Sequence, residues 1–146
     1  YVEGDGVNLS DRMGLETIVL IPPREKLTFT AALLYPDSPS ILTIISHGTP
    51  STVNKKSPEQ LAKLIQSLPT WQAGDHRPVL LNSCNSGKGG KNSYAAKLAK
   101  ILGVPVTGAT TQTWNIGIKD IGPYEPTSSG NSPNLLRPGS WETFTP

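Results

Sequence analysis

Residues 41–48 read ILTIISHG, and residues 79–84 read VLLNSC. Each is a short, nearly continuous apolar run that ends on a small polar residue and then on a side chain able to carry chemistry. Such runs are too short for a core helix and lack the alternation of a half-exposed strand. They predict strands buried on both faces, as in a parallel sheet covered by helices. The segment between them supports that assignment. Ser57-Pro58-Glu59-Gln60 has a capping serine, a proline suited to the first helical position and a glutamine able to reach back to the cap. Leu61, Leu64, Ile65 and Leu68 follow at helical spacing, and Pro69 is expected to end the helix.

The same alternation continues after Cys84. Asn92 or Ser93 can cap a helix whose Tyr94, Leu98, Ile101 and Leu102 share one face, and Gly103 closes it. Val104 to Thr107 then predicts another strand, with Pro105 near its start, where a missing N–H is tolerated. A strand–helix–strand–helix–strand order from about 41 to 109 implies two crossovers and therefore a parallel sheet flanked by helices. Upstream, Glu16 to Ile21 and Thr28 to Leu34 read as an adjacent pair of strands around Pro22-Pro23. Residues 117–140, dominated by Gly, Pro, Ser and Asn, read as a long surface excursion, and Ser140 to Thr145 as a final strand.

Composition bounds the function. The chain has 146 residues, 36% hydrophobic and 16% charged, with 14 glycines, 14 prolines and a formal net charge of +2. The length fits one domain, 1–146, with its core at about 16–116 and a Gly/Pro-rich segment at 117–146. The charge is too small to point to nucleic acid, and no apolar run approaches the roughly 18 residues of a membrane helix. The opening Tyr1 and the absence of a leader suggest an excised or processed piece. One cysteine excludes an internal disulfide, and Cys84 with His47 and His76 forms no ligand cluster of zinc spacing.

The chemistry concentrates on two positions. In an open parallel sheet, ligands bind outside the carboxyl ends of the strands. His47 and Cys84 both follow such ends, whereas His76 precedes its strand and belongs to the opposite rim. A thiol needs a base or a positive field to act as a nucleophile at neutral pH, and an imidazole can take its proton and return it to a leaving amine. The N–H groups of Gly48 and Cys84 are the candidate oxyanion donors. Neighbouring patterns fit poorly. The loop from Asn85 to Lys91 lacks the first glycine and the final Ser/Thr of a nucleotide-binding loop. Gly90 stands where a phosphatase loop needs arginine, and Thr49 and Gly87 break the zinc deaminase pattern. That loop reads instead as a flexible, substrate-facing lid. Lys97 and Lys100 read as a solvated helix face, while Lys88 and Lys91 could support a thiolate or meet an acidic partner.

An apolar strand ending in His-Gly, followed by one ending in a small residue and Cys, resembles the caspase-like cysteine peptidases. The match rests on ILTIIS-His47-Gly48 and VLLNS-Cys84, with Ser83 as the small residue. The resemblance implies a three-layer α/β sandwich with a central, mostly parallel sheet and flanking helices. It implies a cysteine endopeptidase with a His47–Cys84 dyad, no cofactor and a protein substrate. By the same resemblance, Thr110, Thr111, Gln112 and Trp114 fall where the substrate pocket forms. SPEQLAKLI, LLNSCNSGKGGKNSYAAKLAKILGVPVTGAT and GSWETFTP also resemble C-terminal toxin domains of bacterial polymorphic toxins of the Rhs type. That resemblance covers roughly 41–146. It implies an antibacterial effector, secreted or injected to act in the target cytoplasm, with a cognate immunity protein. The alternatives are a different toxin enzyme using the same thiol, either a transferase or a nucleotide-directed hydrolase, and a non-catalytic binding toxin.

Overall fold

The computed structural model describes residues 8–12, 15–33, 40–117 and 119–146; Tyr1 and Leu34 lie outside them. Its centre is a six-stranded sheet. Strands β1 (Asn8–Arg12), β2 (Leu15–Val19), β3 (Leu42–Ile45), β4 (Val79–Asn82) and β5 (Val106–Ala109) lie side by side in chain order, and β9 (Trp141–Phe144) closes the far edge. β2 to β5 are mutually parallel, while β1 and β9 pair antiparallel at the two edges. The chain is thus mixed α/β with a mostly parallel central sheet.

One face of that sheet is covered from β2 to β5, and the other is covered over β2 and β3, which accounts for the unbroken apolarity of those two strands. Successive side chains alternate between faces. Ile18, Leu20, Leu42, Ile44, Val79, Leu81 and Val106 pack beneath α2 (Pro58–Gln66), α3 (Pro69–Gln72) and α4 (Tyr94–Leu102). Val19, Ile21 and Ile45 face the other way, onto Ala32 and Phe29 of α1 (Lys26–Leu33). Ile18, Ile44 and Leu81 have no exposed surface, and each such side chain contributes about 1.5–3 kcal/mol by leaving water.

The caps of α2 and α4 form as their sequences require. Ser57 Oγ accepts from the Gln60 N–H at 3.2 Å, and the Gln60 side chain accepts from the Ser57 N–H at 2.9 Å. Ser93 Oγ accepts from the Ala96 N–H, and Gly103 takes φ 73° beyond the last turn of α4. Pro69 does more than stop α2, since it opens the short α3. Along α4, Tyr94, Leu98 and Leu102 are buried as expected, but Ile101 is half-exposed, and Ala95, Ala96 and Ala99 complete the buried face instead.

Two segments depart from the sequence expectation. Thr28 to Leu34 was expected to be a strand beside Glu16 to Ile21, yet Lys26–Leu33 is helical and the antiparallel partner of β2 is β1. The alternation of Leu27, Phe29 and Ala31 with threonines imitates a strand. The helix instead buries adjacent Ala31 and Ala32 and leaves Leu27 and Leu33 exposed. Residues 117–140 are not an unstructured excursion. β6 (Gln112–Ile116), β7 (Lys119–Pro126) and β8 (Pro133–Pro138) form a separate three-stranded antiparallel sheet. Gly117 and Gly130, both at positive φ, serve the two turns. The prolines that signalled a loop leave β7 and β8 only a sparse ladder, from Tyr124–Pro138 to Pro126–Pro133. Ser140 to Thr145 does return as β9, whose Phe144 packs against the main core.

Candidate functional site

β3 and β4 are adjacent and parallel, with Ile45 opposite Asn82. The chains leaving their carboxyl ends, Ser46-His47-Gly48 and Ser83-Cys84, therefore emerge together at one rim. Gly48 permits their close approach. A Cβ built on it would collide with Ser83 Oγ and lie 2.9 Å from the Cys84 carbonyl oxygen. Ser83 itself is fully buried, with its hydroxyl directed at that contact rather than at a hydrogen-bond acceptor.

The His47-Gly48 turn is held from outside the sheet as well. The Asn54 N–H donates to the His47 carbonyl, the Thr49 N–H donates to the Thr52 carbonyl, and Val53, fully buried, bridges to Gly48. Tyr94 of α4 donates its hydroxyl to the Lys56 carbonyl at 3.0 Å, fixing the far end of the same loop. Burial pushes the Tyr94 phenol well up from its ordinary value, so it stays a neutral donor.

Beyond Cys84 the chain is tied down. The Asn85 N–H donates to the Thr111 carbonyl at 2.9 Å, and the Gly87 N–H donates to the Ala109 carbonyl at 2.8 Å. Ser86 is buried and donates to the Ser83 carbonyl. Gly87 and Gly108 touch so closely that a Cβ on either would strike the other's backbone. In the loop expected to be a flexible lid, Asn85 and Gly87 are thus bonded to the main chain of residues 109–111 just after Cys84. Lys88 and Lys91 are exposed.

His47 and Cys84 line one cavity of about 220 Å³. The Thr113 N–H points at Cys84 Sγ from 3.4 Å, and the Thr113 hydroxyl stands 3.7 Å from it, so β6 holds the sulfur in place. The N–H groups of Gly48 and Cys84 have no acceptor among the described residues. Gly48 lines a second recess with Glu25, Thr49 and Lys56 rather than the cavity that Cys84 lines, and His47 borders both.

His47 has a partner that the sequence did not suggest. Glu25, in the turn before α1, places Oε1 2.6 Å from His47 Nε2. An ionised carboxylate only accepts, so Nε2 carries the hydrogen of this bond, and in a neutral ring Nδ1 is the nitrogen left to accept. Glu25 is fixed in turn, its N–H donating to the Pro22 carbonyl and its carbonyl accepting from the Phe29 N–H. The signal available was slight: an acidic residue just after a Pro-Pro turn.

Of the other residues singled out, Trp114 lines the cavity, and its indole N–H donates to the Tyr124 carbonyl at 2.8 Å. Thr110 and Thr111 face a separate open recess beside Arg137 and Ser140. Ser83 and Gln112 are not among the residues lining the cavity. His76 stacks on Trp71, ring centroids 4.1 Å apart, and its Nε2 meets the Trp71 carbonyl at 3.0 Å, a structural role before β4. Asp120, unremarked in the sequence, enters the cavity from β7. Among the described residues, no three of His, Cys, Asp and Glu are grouped as metal ligands. No helix there is long and apolar enough to cross a membrane.

No curated protein and no solved structure matches the chain. A family model matches residues 16–132, a span that includes Glu25, His47, Gly48, Cys84 and Asp120. On that match the chain belongs to the family described as Domain of unknown function (DUF8616).

Proposed function

We propose that this chain is a cysteine hydrolase of peptide bonds. The observation that carries the proposal is the convergence of His47 and Cys84 from adjacent parallel strands onto one cavity. Cys84 Sγ attacks the scissile carbonyl carbon as His47 Nδ1 takes the thiol proton. The N–H groups of Gly48 and Cys84 receive the resulting oxyanion, each such donor being worth roughly 2.7–4 kcal/mol in the transition state. Collapse expels the amine, which leaves with the proton held by His47, and a thioester remains on Cys84. Water, deprotonated by the same imidazole, then hydrolyses the thioester and releases the acid. Glu25 is a positioning residue that fixes the ring and its tautomer.

The His-Gly and Ser-Cys strand ends support a caspase-like arrangement of this sheet. The resemblance of the helix after Cys84 and the closing strand to polymorphic toxin domains supports an antibacterial effector, delivered into a target cell and restrained by an immunity protein. The direct test is to incubate the purified protein with a denatured proteome and label new amino termini. Cys84-dependent cleavages are expected. Their absence, together with nucleotide consumption that is lost in Cys84→Ala, would favour the rival hydrolase.

Glu25→Gln keeps the shape of the side chain but can offer its amide N–H₂ as well as its oxygen to Nε2, so the tautomer is no longer fixed. His47 is more than half exposed and Glu25 one-third exposed, so the penalty falls well short of that in a buried triad. Peptide hydrolysis is expected to drop about 10- to 100-fold, chiefly in kcat, with Glu25→Asp failing to restore it because the shorter side chain cannot reach. An unchanged pH–rate profile and an unchanged kcat would remove Glu25 from the site.

A further inference from the structure

The cavity beside Cys84 contains a carboxyl group, that of Asp120, which meets no lysine or arginine among the described residues. Asp120 lies on β7 opposite Asn115, next to a break in register between Trp114 and Asn115. Irregularities of this kind re-aim side chains near binding sites. Its carboxylate is held by two hydrogen bonds, from Asn82 Nδ2 to Oδ2 at 3.1 Å and from the Gly122 N–H to Oδ1 at 2.9 Å. Two carboxylate oxygens offer about four acceptor sites, so roughly half that capacity is unused. No lysine or arginine lines the cavity, and Asp120 has no ion-pair partner among the described residues. The remaining walls include Ile21, Ala31, Ile45 and Trp114.

An apolar wall with an unpaired carboxylate is the complement of a lysine or arginine side chain, whose methylene stem seeks apolar surface and whose head seeks an anion. The indole of Trp114 adds a face on which a cation can rest. A volume of about 220 Å³ suits one long side chain, being smaller than the roughly 300–1,000 Å³ of sites for cofactor-sized ligands. The geometry points to Asp120 as the specificity-determining residue of a pocket that receives a basic substrate side chain, which places the scissile bond after that residue over Cys84. This deepens the proposed peptidase function and rests on it for the word substrate; the pocket's preference for a cation does not.

The test has two arms. In the first, fluorogenic peptides that differ only in the residue before the scissile bond are compared by kcat/KM. Arginine or lysine is expected to exceed glutamine, leucine and aspartate by roughly 10- to 100-fold, the range for a charge-assisted contact. Asp120→Asn is expected to bring the ratio near one, and Asp120→Glu to retain part of it. In the second arm, Cys84→Ala is titrated with N-acetyl-arginine amide and with its neutral isostere N-acetyl-citrulline amide. The arginine compound is expected to bind at least about tenfold tighter, and the added Asp120→Asn change to erase the difference. Cys84-dependent cleavage without a basic preference would overturn the pocket and leave the hydrolase standing. Asp120-dependent binding of the arginine compound without cleavage of any peptide would do the reverse. Equal binding of the two amides would also overturn the pocket.

Discussion

Replacing Cys84 by alanine is expected to abolish peptide hydrolysis while the fold stays in place. Loss of a nucleophile from a cooperating set costs on the order of 10⁴-fold or more in kcat, and the activity left reflects binding and oxyanion donors alone. The structural cost is small because the sulfur is half-buried and its nearest partners, the Thr113 N–H at 3.4 Å and hydroxyl at 3.7 Å, make only weak contacts with it. The main chain around it is fixed independently by the Asn85–Thr111 and Gly87–Ala109 hydrogen bonds. The melting temperature of Cys84→Ala should therefore stay within about 4 °C of the parent. A folded Cys84→Ala protein that still cleaves at the parental rate would remove the thiol from the chemistry.

The second large effect is expected at Gly48, where no side-chain chemistry is lost at all. Adding one methyl group drives a Cβ into Ser83 Oγ and to within 2.9 Å of the Cys84 carbonyl oxygen. The core cannot absorb this by rotating a long side chain, because Ser83 is fully buried and the second obstacle is backbone. Overpacking of this kind costs about 1–3 kcal/mol. Activity should fall further than stability implies, by roughly 10²- to 10³-fold, because separating the two turns misplaces one oxyanion donor. Ser83→Gly in the Gly48→Ala background removes the Oγ and Cβ contacts, so stability should partly return. The carbonyl contact persists, so activity should not return in full. Thermal denaturation and peptide hydrolysis on the parent and these two variants separate these terms. A Gly48→Ala protein with full activity would show that the rim does not need the close approach.

The parts of this architecture that were legible in the sequence are those where one physical signal dominated. ILTIIS is apolar without alternation because both of its faces are covered, whereas VLLNS packs one face into the main core and leaves Leu80 half-buried on the other; each run leads directly into His47 or Cys84. Ser57, Pro58 and Gln60 announce α2 through local hydrogen bonding, which needs no tertiary context. The α1 segment misled because Leu27, Phe29 and Ala31 alternate with threonines, while the burial that decides the matter falls on adjacent alanines against β2 and β3. The second sheet was hidden by its own turn chemistry. Its glycines and prolines read as a loop, and its strands are only half-buried, so no strong hydrophobic period marks them.

Glu25 and Asp120 share one reason for going unnoticed. Each is a single carboxylate in a segment without a motif, and each gains its meaning only from a neighbour distant in sequence, His47 for Glu25 and Asn82 for Asp120. Both carboxylates come from outside the β3–β4 pair that leads into His47 and Cys84, since β7 belongs to the smaller sheet and Glu25 to the turn before α1. In the proposed function, that separation would let catalytic power and side-chain selection be adjusted independently.

Covalent capture followed by intact mass measurement shows whether His47 activates Cys84 as the proposed nucleophile. The protein and its His47→Ala variant would be mixed near neutral pH with a panel of peptidyl acyloxymethyl ketones, whose carboxylate departs as the thiol sulfur bonds the methylene carbon, bearing basic, amide, acidic or apolar leading residues. A single adduct that maps to Cys84 is expected, fastest with a basic leading residue and slowed on the order of 10²-fold in His47→Ala, within the range a positioned general base supplies. No adduct on the parent protein with any member of the panel, or equal rates with and without His47, would contradict the proposed activation.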